Sequence, residues 1–151
     1  MKTTNYTHTD YFDAAICRSE DLEHLLQDPT RMIFSLYCAG VSIECLLRAF
    51  ITKNTTEFDA KHDLERLYDK SKIATYLTSE EKQEMTIAIK NANKMWHNNH
   101  RYTSDKRMKR VIAHQIVKAK ITDINKYLQK HYSDIFAAQK LIIKIGKQKW
   151  T

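Results

Sequence analysis

The sequence predicts an all-α protein. Only two glycines and one proline occur among 151 residues. Because both residue types mark tight turns, the chain has few of them and its elements are long. Apolar residues also recur at helical spacing through most of the sequence. We expect one domain, residues 1–151, built from four main helices, one short helix and a C-terminal helix.

The first two predicted helices are separated by a capping turn. The first covers about residues 9–27. Asp28 is a suitable cap for the next helix, and Pro29 suits its first turn, where a missing N–H costs nothing. The second helix, about 31–53, is apolar on nearly all its sides. It is therefore expected at the centre of the bundle.

Three further helix starts follow. Asp63 begins a short helix after a polar connection. Thr78 and Glu81 form a capping-box pattern that opens a helix running to Trp96, which we expect in the core or at a dimer interface. Ser104 is placed to cap a long final core helix.

The C-terminal end is predicted as a separate piece. The polar stretch at 131–134 is expected to end or kink the long helix. We therefore predict a core of about 10–130, with 133–151 as a basic, helical C-terminal extension.

Positive charge is concentrated near the C-terminus. The net charge is +7, but residues 105–151 hold twelve basic and three acidic side chains, whereas the first 104 residues hold thirteen and fifteen. A basic third beside a near-neutral remainder indicates a polyanionic partner. The alternative is that these lysines only solvate long exposed helices.

Several classes of protein are disfavoured. No segment approaches the roughly 18 consecutive apolar residues of a membrane span, and the N-terminus lacks the apolar core of a secretory signal. Cys17, Cys38 and Cys45 match no common zinc spacing and are expected to be buried free thiols in a reducing cytoplasm. Two glycines cannot build a Walker or Rossmann loop, so no cofactor is predicted.

Three blocks of the sequence resemble HEPN domains. Residues 35–53 include "VSIECLLRA", similar to the family's A-x-E-x-x-L-[KR]-A pattern. "HDL" at 62–64 matches a His-Asp-Leu signature, and "HRY" at 100–102 matches an Arg-Tyr pair after the third main helix. Their order and spacing fit the family over about 10–130.

The resemblance implies an antiparallel, up-and-down four-helix bundle that commonly forms a homodimer. Some members are metal-independent RNases, often toxins or antiviral effectors, and others are non-catalytic modules that bind a partner or ligand. Many small members are encoded beside a minimal nucleotidyltransferase antitoxin. The leading hypothesis is an RNase of a toxin–antitoxin or defence system. The alternatives are a non-catalytic dimer holding a nucleotidyltransferase or nucleotide, and an interaction bundle with an unspecific basic tail.

Arg107 and His114 are the candidate catalytic pair. RNases of this family resemble one another in an Arg-x(4–6)-His motif, in which histidine takes the ribose 2′-OH proton and arginine holds the phosphate. Seven residues on a helix turn by nearly two full circles, so the two side chains share a face to within about 20°. Met108 stands where the most diagnostic family form has a polar residue. Arg18 and His24 show a similar spacing in the first helix, where the motif is not expected.

A second group of candidates lies around the break before the last core helix and on the second helix. The predicted RNA- or nucleotide-binding residues are Arg101, Tyr102, His97, His100, Glu44 and Arg48. Alternatively, the histidines cap the preceding helix, and the charged pair on the second helix is a structural ion pair. No third ligand accompanies the histidines, so no metal site is predicted.

Overall fold

The protein is all-helical. The structure, a computed structural model, describes residues 5–119 and 124–151, and neither range contains a β-strand. The described helices are α1 His8–Leu25, α2 Met32–Asn54, α3 Leu64–Ser71, α4 Ser79–Met95, α5 Asp105–Ala119 and α6 Ile124–Lys149. Short 3₁₀ turns cover Pro29–Arg31, Ile73–Tyr76 and Asn98–Tyr102. The predicted all-α class is confirmed.

Predicted caps are present at three helix starts, whereas Asp28, predicted as the cap of the second helix, caps the 3₁₀ turn Pro29–Arg31, and α2 itself has no side-chain cap. The carboxylates of Asp28 and Asp63 each accept a backbone N–H from the turn that follows them. Thr78 and Glu81 form the reciprocal capping box, and Ser104 Oγ accepts the N–H three residues later. These groups satisfy backbone donors that a helix start leaves without partners.

The central helix is α2, as predicted. α1 packs along it, α6 packs against both α2 and α4, and α3 fills the space between α2 and α4. Five large side chains of α2 are fully buried: Leu36, Ile43, Leu46, Leu47 and Phe50. Contact on several sides explains why apolar residues cover nearly the whole circumference of this helix.

The C-terminal segment belongs to the core. Residues 133–151 were expected to form an extension, but α6 continues through 131–134 and packs against the bundle. Ser133 is exposed, whereas Tyr132 and Ile135 are buried on either side of it in sequence. Ser133 and Asp134 face solvent, and the helix continues through them. Near the chain end, Trp150 stacks on Phe12 with ring centroids 4.5 Å apart.

The long helix predicted from Ser104 is described as two segments. α5 ends at Ala119 and α6 begins at Ile124, and the intervening residues 120–123 lie outside the described ranges. α5 has its main described contact with α6 and little with the rest of the bundle. Met108 is buried, but Val111 and Val117 are exposed. α5 therefore presents much of its surface to solvent.

One segment, Pro29–Asn54, is long and apolar enough to cross a membrane by length and composition. It contains α2, and 72% of its most apolar window is buried inside the fold. This criterion uses mean hydropathy, whereas the expectation above concerns consecutive apolar residues and is not contradicted by it. The burial of the segment is that of a core helix.

Candidate functional site

Glu44 and Arg48 tie α2 to the connection before α3. Arg48 Nε donates to Glu44 Oε1 at 2.8 Å. Its terminal nitrogens donate to the backbone carbonyls of Asp59 and Lys61. The two side chains are only 11% and 10% exposed. This pair, called here the Glu44–Arg48 clamp, holds the end of the connection in place. The contacts are those of the structural ion pair that the sequence left as an alternative.

Asp59 provides a second anchor for the same connection. Its carboxylate accepts the Lys61 backbone N–H at 3.0 Å and pairs with Arg66 and Lys70 of α3. The Lys61 N–H, followed by the two cationic side chains, holds the pKa of Asp59 well below its usual range. The backbone of Lys61 is thereby bonded through both its N–H and its carbonyl.

The imidazole of His62 is oriented by the clamp. His62 Nδ1 lies 2.8 Å from Glu44 Oε1. A carboxylate only accepts hydrogen bonds, so Nδ1 carries the hydrogen, and Nε2 of the neutral ring is left as an acceptor. The side chain is 45% exposed. In its neutral form His62 therefore presents a hydrogen-bond acceptor at the surface, backed by a buried carboxylate.

The junction after α4 is fixed by Trp96 and two histidines. Trp96 is buried, and its Nε1 donates to the Tyr37 carbonyl at 3.2 Å. The His97 N–H donates to His100 Nδ1, and the Asn99 N–H donates to His97 Nδ1, both at 3.1 Å. The two imidazoles thus cap the start of the 3₁₀ turn 98–102, which His97 precedes and which contains His100. The predicted alternative, a cap on the preceding helix, is wrong in this respect, because both imidazoles accept N–H groups at the start of the turn after that helix.

Burial, followed by the proximity of His97, lowers the pKa of His100 to about 4. An unfolded histidine titrates near 6.5, so between about pH 6.5 and 4 the unfolded chain binds more protons at this residue. We expect the free energy of unfolding to fall as the pH falls through this window. In His100→Asn, whose amide oxygen still accepts the His97 N–H, urea unfolding should show a shallower pH dependence.

The matched control for this experiment is His24→Asn. His24 is exposed on α1, so this variant should keep the wild-type slope. Equal slopes for wild type and His100→Asn would contradict the assigned role of His100.

The His-Asp-Leu block and the junction after α4 meet at one cavity of about 420 Å³. Its lining includes Lys61, His62 and Asp63 on one side and Trp96, His97 and Asn99 on the other. The Glu44–Arg48 clamp and the 3₁₀ turn position these two sides. We call it the His62 cavity.

Other sequence candidates lie at the surface. Arg101 and Tyr102 are both exposed, and the guanidinium carbon lies 4.6 Å from the centroid of the tyrosine ring. Arg107 and His114 are exposed on α5 and do not line the His62 cavity. The structure thus separates the candidate catalytic pair from the Glu44–Arg48 clamp.

His114 lies in its own surface depression. Together with Arg110, Val111 and Lys118 it lines an open cavity of about 510 Å³ on α5. Apart from Val111, its lining side chains are basic or imidazole groups. This surface can contact a polyanion along the helix.

Two residues of the His62 cavity carry no signal in the sequence. Lys61 is one lysine among many, and its position depends on its backbone bonds. Asn93, within α4, accepts the Leu64 N–H at 2.9 Å and donates to Glu65 at 3.1 Å. The sequence gives no indication that an asparagine within a helix bonds to a neighbouring helix in this way. Only the folded arrangement identifies both residues.

Within the described ranges, no three histidine, cysteine, aspartate or glutamate side chains cluster as metal ligands. The chain matches no protein-family model, and no curated protein or solved structure is significantly similar to it.

Proposed function

We propose that this protein is a HEPN-like, dimeric bundle that cleaves RNA without a metal ion at α5. The supporting observation is the exposed cationic surface of that helix. Lys106, Arg107, Arg110 and Lys118 are all exposed there, and no described carboxylate pairs with them. Unpaired cations on one helix attract the RNA backbone, and the attraction weakens as salt increases.

The proposed chemistry uses Arg107 and His114. His114 takes the proton of a ribose 2′-OH, the 2′ oxygen attacks the adjacent phosphorus, and the bond to the 5′ oxygen breaks. Arg107 holds the phosphate oxygens as negative charge develops. The products are a 2′,3′-cyclic phosphate and a 5′-hydroxyl end, which takes its proton from water. In the proposed dimer, two such pairs face one cleft.

A second candidate function is a non-catalytic HEPN-like module that binds a nucleotidyltransferase. It is favoured by the apolar side chains on the same helix. Val111 is 49% exposed and Val117 is 79% exposed. Exposed apolar side chains beside basic ones are typical of a helix that docks on a protein partner.

The test is incubation of the purified protein with RNA in EDTA. We expect cleavage to persist in the chelator and to fall at least tenfold in His114→Ala and in Arg107→Ala. The matched controls are Arg18→Ala and His24→Ala, because this pair on α1 has a similar spacing in the sequence. The controls should cleave RNA at the wild-type rate.

Cleavage that is unchanged by His114→Ala would remove this residue from the mechanism. An absence of cleavage, together with a tight complex formed with a nucleotidyltransferase, would favour the non-catalytic module.

A further inference from the structure

We propose that the groove between α1 and α6 binds a free apolar peptide of about five residues, held in extended conformation by contacts to both of its charged termini. The groove has a volume of about 910 Å³ and is called here the α1–α6 groove. It shares no lining residue with the His62 cavity or with the depression around His114. The proposal therefore does not depend on the proposed RNA cleavage.

The groove results from the packing of three helices. α1 and α6 both pack on α2 but contact each other little, so a channel remains between them. Two contacts fix their relative direction. Phe12 of α1 stacks on Trp150, just beyond the end of α6. Ser19, seven residues later on α1, bonds to Gln139, which lies earlier on α6. The two helices that form the walls are therefore antiparallel.

The floor of the groove is apolar apart from one amide. Buried or half-buried apolar side chains form it: Ile16, Leu22, Phe136 and Ile143. In an extended peptide, alternate side chains point to the same face. The first, third and fifth side chains of a bound pentapeptide can therefore reach this floor together, and burial of their apolar surface favours binding.

The amide belongs to Gln139, which is only 4% exposed. Its Nε2 donates to Ser19 Oγ and Ser42 Oγ, both at 3.0 Å, which uses both amide hydrogens. No described residue donates to its Oε1. The groove therefore contains a carbonyl oxygen, fixed in position by the other bonds of its side chain, that can accept an N–H from a ligand.

This acceptor selects an extended peptide among apolar ligands. The backbone of an extended peptide carries free N–H groups along its length. An α-helix lying in the groove would have its N–H groups bonded internally, and an acyl chain has none.

Unpaired charges of both signs line the walls. Five exposed side chains of the lining form no ion pair with a described residue: Glu20, Glu23, Lys140, Lys144 and Lys147. The acidic groups are on α1 and the basic groups are on α6. A ligand that carries one charge of each sign is complementary to both walls.

The charges also differ along the groove. Measured from the side-chain bond between α1 and α6, Glu23 lies toward one end, whereas Lys144 and Lys147 lie toward the other. The helical rise places Glu20 and Lys144 about 9 Å apart along the groove, and Glu23 and Lys147 about 18 Å apart. A fully extended pentapeptide spans about 17 Å. Its amine therefore lies at the acidic end and its carboxylate at the basic end, which sets the direction of binding.

The experiment is calorimetric titration of the full chain with the pentapeptide Leu-Ser-Leu-Ser-Leu at neutral pH. We expect saturable binding of one peptide per chain. Acetylation of the amine and amidation of the carboxylate should each raise the dissociation constant at least fivefold. N-methylation of the internal amides, one at a time, should weaken binding at least threefold more at one position than at the others, because one N–H meets Gln139 Oε1.

Charge-removing variants test the direction of binding. In the double variant Glu20→Gln, Glu23→Gln, the free amine should lose its advantage over the acetylated one, whereas the free carboxylate should keep its advantage over the amide. The double variant Lys144→Gln, Lys147→Gln should show the reverse. All four side chains are exposed, so both variants should keep the wild-type melting temperature.

The matched controls are Glu84→Gln and Lys90→Gln. Both residues are exposed on α4 and do not line the groove. Each control should bind the peptide as wild type does and should keep both preferences.

The proposal is overturned if the pentapeptide does not bind, or if the amine preference survives in the glutamate variant. Sensitivity to only one blocked terminus would identify the end of a longer chain as the occupant and would also overturn it. The same holds if affinity falls as the protein concentration rises, because a second copy would then cover the groove.

Discussion

Glu44→Ala is expected to lower the free energy of unfolding by about 3–5 kcal/mol, as found when one partner of a buried ion pair is removed. The Arg48 side chain is only 11% exposed. Without Glu44 its guanidinium stays in a poorly hydrated site with no counter-charge, and His62 loses the acceptor of its Nδ1–H. The measurement is the urea-unfolding midpoint and slope of the variant compared with wild type.

Glu23→Ala is the matched control. Glu23 is exposed on α1, and its replacement should change the free energy of unfolding by no more than about 0.5 kcal/mol. The double variant with Arg48→Ala should cost less than the sum of the two single changes, because the unpaired charge is removed together with its partner. Equal effects of the Glu44 and Glu23 changes would show that the clamp contributes no stability.

The features that the sequence predicts correctly are local ones. A cap such as Asp28 or Thr78 bonds to a backbone N–H two or three residues away, so its letters and spacing are sufficient. The central position of α2 follows from apolar residues on all its sides. In both cases the information lies within a single helix and its first turn.

The features that the sequence does not reveal depend on the folded chain. Arg48 bonds to backbone carbonyls 11 and 13 residues away. Every residue has a backbone carbonyl, so the sequence does not indicate which ones accept a hydrogen bond. His62 and His97 line one cavity because α2, α3 and α4 pack together. The polar stretch at 131–134 indicates a break when the sequence is considered alone, because the sequence does not show that Ser133 is exposed while Tyr132 is buried. Which face of a helix is buried depends on the helices that pack against it, and a single segment of sequence does not show these.

Gly40→Ala is expected to destabilise the protein by about 1–3 kcal/mol. A Cβ at residue 40 would clash with Cδ1, Cγ and Nε1 of the Trp96 indole. Trp96 is 4% exposed and its indole is bonded to the Tyr37 carbonyl, so displacing the ring costs free energy of folding. Overpacking costs about 1–3 kcal/mol, the strained indole bond about 1, and better helix propensity returns about 1.

A double-mutant cycle with Trp96→Ala tests this cause, measured by urea unfolding. Without the indole, Gly40→Ala should become stabilising by about 0.5–1 kcal/mol, because only the gain in helix propensity remains. Gly146→Ala is the comparison, since its Cβ would meet the flexible end of Leu46 and should cost less. A cost at residue 40 that persists without Trp96 would contradict the packing argument.

The same contact connects the core to the His62 cavity. Trp96 directly precedes His97, and both line the cavity. If Gly40→Ala displaces the indole, the His97 side of the cavity must move with it, whereas the side held by the Glu44–Arg48 clamp stays in place. We therefore expect the NMR resonances of the His97 imidazole to shift in Gly40→Ala under conditions in which the chain is still folded. In Gly146→Ala, whose neighbour Leu46 does not line the cavity, the His97 resonances should keep their wild-type positions.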